Sequence, residues 1–187
     1  WRDDIHHIML QHRIDFPNKP IFNIEHGGYE ESPYVVFPGS YTSPEGCLRR
    51  NYLIAFAGAY STYYWQGTSW NVIIHNPFEQ PTDFIKPRFD YYKTMVGFFE
   101  KYPYNQYHPI DTNTAYCMTN DKGIFLFFVP KEHYQISIYG GAENTKTGTY
   151  QWFNTLTGEY SEEMKYSDIF FKNPWYMNAD AILIRKH

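Results

Sequence analysis

The spacing of apolar runs changes once along this chain, between Tyr102 and Pro109, and that change limits the fold more than any single motif. Before it the sequence reads helix, strand, helix, strand, helix, the rhythm of parallel βα units. After it come short β-type runs at hairpin spacing, over residues 115–118, 124–129, 135–139, 150–154 and 181–184. Turn signals separate them: Asn120-Asp-Lys-Gly123, Gly140-Gly141 and Thr157-Gly158. The expectation is an α/β portion over residues 1–108, followed by an all-β portion over 109–187 that forms a small antiparallel β-sandwich.

In the first portion, Ile5, Ile8, Met9 and His12 fall near helical spacing and predict a helix over 3–13. Pro17 and Pro20 end it and lead into a short apolar run, 21–24, read as a strand. The run stops at Glu25, just before Gly27-Gly28. Alternation sends Ile21, Asn23 and Glu25 to one face and Phe22 and Ile24 to the other. In a parallel barrel, Phe22 and Ile24 would meet the outer helices. Asn23 and Glu25 would point inward, Glu25 at the mouth, where such folds present catalytic groups.

A long loop follows, and then Ser43-Pro44-Glu45 supplies an N-cap, a proline at the first helical position and an acid in the first turn. Leu48, Tyr52, Ala55 and Ala59 run down one face of this second helix. A strand is expected over 61–65, then a glycine loop with Trp70 and a proline-rich link over 77–87. A third helix is expected over 87–101, with Phe89, Tyr92, Val96 and Phe99 as its inner face. Two parallel strands cannot bury both of their faces. The remaining strands are therefore expected upstream of Trp1 or from another chain, and a start at Trp1 inside a helix fits a fragment or a processed chain.

Charge and composition narrow the function classes. The net charge is −4 with no basic stripe, which argues against nucleic acid, and no apolar run is long enough to span a membrane. Aromatics make up 21% of the residues, with 19 Tyr, 15 Phe and 5 Trp. That abundance suits surfaces that stack on sugar rings, and it equally suits an aromatic core. The two cysteines, Cys47 and Cys117, form no CxxC pattern and give no metal signature. His6, His7 and His12 share a helix without a carboxylate-rich partner set, so a metal site is not expected. No G-x-S-x-G elbow, P-loop or dinucleotide fingerprint occurs, and no cofactor is implied.

Lys19-Pro-Ile-Phe-Asn-Ile-Glu25 with Gly27-Gly-Tyr-Glu30 resembles the seventh strand of clan-A-like glycoside hydrolase barrels, in particular the apiosidase-like group of DUF4038 and DUF5060 type. Leu48-Arg-Arg-Asn-Tyr-Leu-Ile-Ala-Phe-Ala-Gly-Ala59 looks like the seventh helix of that group. Tyr60-Ser-Thr-Tyr-Tyr-Trp65 looks like its eighth strand, and residues 87–101 like its last barrel helix. Gln151-Trp-Phe-Asn-Thr-Leu-Thr-Gly158 resembles a segment of the C-terminal β-sandwich that follows such barrels, a module labelled collagen-binding.

The resemblance implies the last βα units of a (β/α)8 TIM barrel followed by a β-sandwich. It implies a retaining glycosidase with Glu25 as nucleophile and an acid/base lying upstream of Trp1, in a missing N-terminal barrel portion. A retaining pair places its carboxyl groups about 5 to 5.5 Å apart. Glu25 must then be ionised, and Asn23, Tyr63, Arg49 or Arg50 would be its donors. Trp65 would form the floor under a carbohydrate substrate, with Asn23, His26, Tyr29 and Trp70 as further sugar contacts. An extracytoplasmic home and degradation of polysaccharide follow from the resemblance alone. Each residue also has a plain reading: Glu25 in a salt bridge, Trp65 in a core, His26 in a local hydrogen bond, Arg49-Arg50 and Glu30-Glu31 as solvated charges. The alternative function is a glycan-binding protein with a degenerate barrel.

Overall fold

The computed structural model of the chain describes residues 4–24, 26, 43–62, 88–110, 115–138 and 147–187. The first elements are α1 (Ile5–Asp15), β1 (Phe22–Asn23), α2 (Pro44–Phe56), β2 (Tyr60–Ser61) and α3 (Phe89–Lys101). After a single 3-10 turn, Tyr104–Gln106, come β3 (His108–Ile110), β4 (Tyr116–Thr119), β5 (Ile124–Val129), β6 (Gln135–Ser137), β7 (Gly148–Asn154), β8 (Met164–Tyr166), β9 (Phe170–Lys172) and β10 (Ala181–Lys186). β1 and β2 pair in parallel, Phe22 opposite Tyr60 and Asn23 opposite Ser61. Six strands form an antiparallel sheet in the order β3-β4-β5-β10-β7-β8, and β6 pairs with β9 in a separate ribbon. The result is a mixed α/β chain.

The six-stranded sheet is apolar on both faces, and alternation along its strands assigns each residue to one of two cores. Met118, Leu126, Phe128, Phe153, Ile182 and Ile184 face the helices and join Leu48, Tyr52, Phe56 and Phe98 in one cluster. Cys117, Phe125, Phe127, Trp152 and Leu183 face the other way, against Ile136 of β6 and Phe171 of β9. The sheet is thus a layer between helices and ribbon. β10 lies at its centre, in register with β5 on one side and β7 on the other. Arg185, on the ribbon side of β10, is fully buried. Its guanidinium lies over the Tyr166 ring at 4.6 Å and donates to the Tyr166 hydroxyl at 2.9 Å.

Helix α2 starts where its sequence predicts, since Ser43 Oγ accepts from the Gly46 N–H at 3.1 Å and Pro44 follows the cap. It ends at Ala57-Gly58, where Gly58 takes a left-handed φ of 73° and the Arg13 guanidinium donates to its carbonyl. A Cβ at position 58 would run into that guanidinium. The Asn120–Gly123 signal is a hairpin turn, in which Asn120 Oδ1 accepts from the N–H groups of Lys122 and Ile124 and Gly123 has a φ of 89°.

Several expectations are corrected. Helix α1 runs to Asp15 rather than ending at 13. The second parallel strand is Tyr60–Ser61, one residue earlier than expected; Thr62 is not part of it, and residues 63–65 lie outside the described residues. On α3 the buried residues are Tyr91 and Phe98, while Phe89 and Val96 are exposed. The orientation of β1 is reversed from the barrel expectation. Asn23 faces α1, its amide 3.9 Å from Met9 Sδ, and Ser61 beside it donates to Asn51 of α2. Phe22 stacks on Tyr60 on the other face, and there Phe22, Ile24 and Tyr60 are 58%, 67% and 44% exposed. The strands β3, β8 and β9 were not anticipated. Cys47 and Cys117 are both buried. No described helix is long and apolar enough to cross a membrane.

Candidate active site

The segment that carries Glu25 is built from β1, β2 and α2. Parallel pairing places β2 beside β1, with the Tyr60 N–H donating to the Ile21 carbonyl at 2.8 Å. One residue past β2, the Thr62 hydroxyl donates to the Ile24 carbonyl at 3.2 Å. From α2, an Arg50 Nη donates to the His26 carbonyl at 3.1 Å. The two carbonyls that flank Glu25 in the chain are therefore each held by a side chain from a different element.

His26 is fully buried, and its Nδ1 lies 3.2 Å from Asn23 Oδ1, an acceptor that places the ring proton on Nδ1. Burial first, and the positive charge of Arg50 among the further causes, lower its pKa from the ordinary histidine value to about 4. At neutral pH the ring is uncharged. It cannot supply a proton to a leaving group there, but it can hold Asn23 and the turn out of β1 in one arrangement.

The neighbours of Arg50 on α2 face other parts of the molecule. Arg49 forks onto Asp180, with Nε 2.8 Å from Oδ2 and Nη2 2.6 Å from Oδ1, and Nη2 also meets Glu132 at 3.0 Å. The carboxylates hold its pKa well above the ordinary guanidinium value. Asn51 donates to the Cys47 carbonyl at 3.0 Å and to the Tyr92 hydroxyl at 2.9 Å, and it accepts from Ser61 at 2.6 Å. Near the start of α2, Tyr91 donates to Glu45 at 2.6 Å. Burial alone would raise the Glu45 pKa, but the Tyr91 bond and the local donors win and lower it. A cavity of about 210 Å³ opens between this end of α2 and the sheet, lined by Ser43, Glu45, Arg49, Lys131, Glu132 and Asp180.

Of the nucleophile and the sugar-contact candidates, only Asn23 and His26 are described, and they touch each other. Glu25, Tyr29, Trp65 and Trp70 lie outside the described residues, as do Glu30, Glu31 and Tyr63. The Arg49-Arg50 pair is not a solvated one, since each guanidinium has a fixed partner. Thr62 and Asp180 carried no signal in the sequence; Asp180 is 131 residues from its partner. Among the described residues, no group of three or more His, Cys, Asp or Glu side chains could hold a metal ion.

No family model and no curated protein sequence matches the chain. Among solved structures the chain is similar to a glycoside hydrolase family 5 protein from Bacteroides vulgatus, with a TM-score of 0.70 and 15% identity over 98% of this chain and 44% of that one. It is also similar to a second glycoside hydrolase, with a TM-score of 0.67 and 15% identity over 98% of this chain and 46% of the other. The chain spans less than half the length of either, and at this identity the likeness is one of fold: almost the whole chain matches part of a glycoside hydrolase structure.

Proposed function

We propose that this chain is the C-terminal part of a retaining glycoside hydrolase, of the apiosidase-like kind, that cleaves glycosidic bonds in a polysaccharide or its side chains. Residues 1–108 would be the end of a TIM barrel and residues 109–187 a β-sandwich. Glu25 is the nucleophile, and the acid/base comes from barrel strands outside this sequence; β1 ends at Asn23, so its reversed facing is not carried on to position 25. Asn23, His26, Tyr29, Trp65 and Trp70 serve the carbohydrate, Asn23 and His26 by shaping the turn out of β1. An enzyme of this kind would act outside the cytoplasm.

The observation that carries the reading is the bracketing of position 25. The Ile24 and His26 carbonyls are fixed by Thr62 and Arg50 at the end of a parallel strand, the place where barrel folds present their chemistry. A nucleophile must approach the anomeric carbon along one line, and a main chain held on both sides of it supplies that aim. The glycosyl–enzyme ester formed by Glu25 would then be hydrolysed by water, with the upstream acid acting as base.

The test is made on the intact polypeptide with a panel of 4-nitrophenyl glycosides. Glu25→Gln is expected to abolish release of nitrophenol, and a 2-fluoro glycoside is expected to add its glycosyl mass to the peptide containing Glu25. Unchanged hydrolysis in Glu25→Gln, or a label on another residue, removes the nucleophile assignment. Retained glycan binding with no hydrolysis in the wild type makes the protein a glycan-binding one.

A further inference from the structure

Three successive residues of α2 grip three different parts of the molecule. Arg49 holds Asp180, Arg50 holds the His26 carbonyl, and Asn51 holds Ser61 and Tyr92. A helix turns by about 100° per residue, so neighbours on it point in different directions yet cannot move independently. Any rotation or slide of α2 that spoiled the Arg49 contact would also shift Arg50. We propose that Asp180, in the β-sheet portion, is a positioning residue for Glu25, acting through Arg49 and Arg50 of α2. This rests on the reading of Glu25 as nucleophile.

The anchor is rigid at its far end. Asp180 directly precedes β10, the central strand of the sheet. Its Oδ1 also accepts from the Lys131 N–H at 2.9 Å, and its carbonyl accepts from the Thr155 hydroxyl at 2.8 Å and the Thr155 N–H at 3.2 Å. Side chain and main chain are both tied, so the carboxylate presents a fixed two-oxygen edge. A guanidinium matches such an edge in one plane, and the pair fixes direction as well as distance. Glu132 is different. It meets Arg49 from a half-exposed position and adds charge without adding a second fixed edge.

At the near end, Arg50 determines where one of the two carbonyls beside Glu25 sits. A misplacement of 1 Å at a reacting group costs on the order of 100-fold in rate. The sheet portion is then part of the catalytic apparatus, in addition to covering the helices.

The experiment uses the intact polypeptide, the 4-nitrophenyl glycoside it hydrolyses, and amide hydrogen exchange of the peptide spanning residues 22–26. Asp180→Asn keeps shape and loses the charge. It is expected to lower kcat by about 10- to 100-fold with KM within about threefold, and to speed exchange at 24–26 by about tenfold or more while exchange over 181–186 is unchanged. Glu132→Gln is expected to leave both readouts within about twofold. Arg50→Lys combined with Asp180→Asn is expected to be no worse than the more severe single change, since both break one chain of contacts. Should Asp180→Asn fail to fold, Arg49→Lys keeps the charge, loses the fork and carries the same readouts. Unaltered exchange at 24–26, unaltered kcat, or single effects that multiply in the double variant overturns the proposal. Activity that survives Glu25→Gln sinks the nucleophile reading instead, and the exchange readout still decides whether Asp180 holds the segment.

Discussion

Two of the sheets among the described residues solve the burial problem to different degrees. In the six-stranded sheet both faces are covered, by helices on one side and by the β6–β9 ribbon on the other, and β10 from Ala181 to Arg185 is fully buried. In the β1–β2 pair, among the described residues, helices cover the face carrying Asn23 and Ser61, and Phe22, Ile24 and Tyr60 stay exposed on the other. An antiparallel sheet can be completed locally, because hairpins bring its strands together within a short stretch of sequence. A parallel pair needs further strands and a second layer of cover. The difference teaches that burial is two-sided around β10 and one-sided at the β1–β2 pair, so the segment proposed to do chemistry adjoins the less covered of the two sheets.

The largest test of that contrast is Trp152→Ala. Trp152 is fully buried on the ribbon side of the sheet. Its loss is expected to cost about 3 to 5 kcal/mol in a denaturant melt, enough to unfold the chain or nearly so. The next is acid. His26 has a folded pKa of about 4, below its unfolded value, so the unfolded state takes up the proton first. The stability this confers is complete above pH of roughly 6.5 and declines as pH falls toward about 4, by up to about 1.4 kcal/mol per pH unit. His6, whose pKa burial also lowers, adds in the same direction. His26→Gln is expected to flatten that part of a stability profile, and amide exchange at pH 5 is expected to accelerate around β1 before it does in β10.

Gly58→Ala is expected to cost about 1 to 2 kcal/mol, because the left-handed φ disfavours any Cβ and the Arg13 guanidinium occupies the space. The smallest effect belongs to the open face. Phe22→Ser with Ile24→Ser is expected to change the melt of this chain by no more than about 0.5 kcal/mol while reducing self-association in sedimentation runs. A cost like that of Trp152→Ala would show that the face is covered after all, and the contrast between the two sheets would collapse.

Much of this architecture can be read from residues near one another in sequence. The start of α2 follows from Ser43-Pro44, and five of the strands follow from apolar runs bounded by turn residues. The strands β3, β8 and β9 have three residues each, too few to show a period. The inner face of α3 is only half legible, with Tyr92 and Phe99 packed on the core but Phe89 and Val96 exposed, because aromatics at 89, 91, 92, 98 and 99 spread over about half of the helix circumference. Which of them is buried is decided by what the sheet offers, with Phe98 stacking near Phe153 at 4.7 Å. The candidate site shows the same limit. Glu25 stands out because a strand ends there, but the Arg49–Asp180 fork joins residues too distant in sequence for any local pattern to pair them. The reversed facing of β1 has a similar cause: alternation says which residues share a side, and only the helices packed against the pair say which side is covered.

The cluster that joins Tyr52, Phe56 and Phe98 to Leu126, Phe128 and Ile182 has a consequence for anyone cutting this gene. The stretch between the last helix and the first sheet strand has the look of a hinge, yet Tyr102 and Tyr104 within it are sunk into shared interior, and Tyr104 bonds the carbonyls of Ala55 and Ala59. Scissors applied there would leave two raw surfaces in place of two working modules. The two halves of the sequence would have to be inherited, expressed and transplanted together.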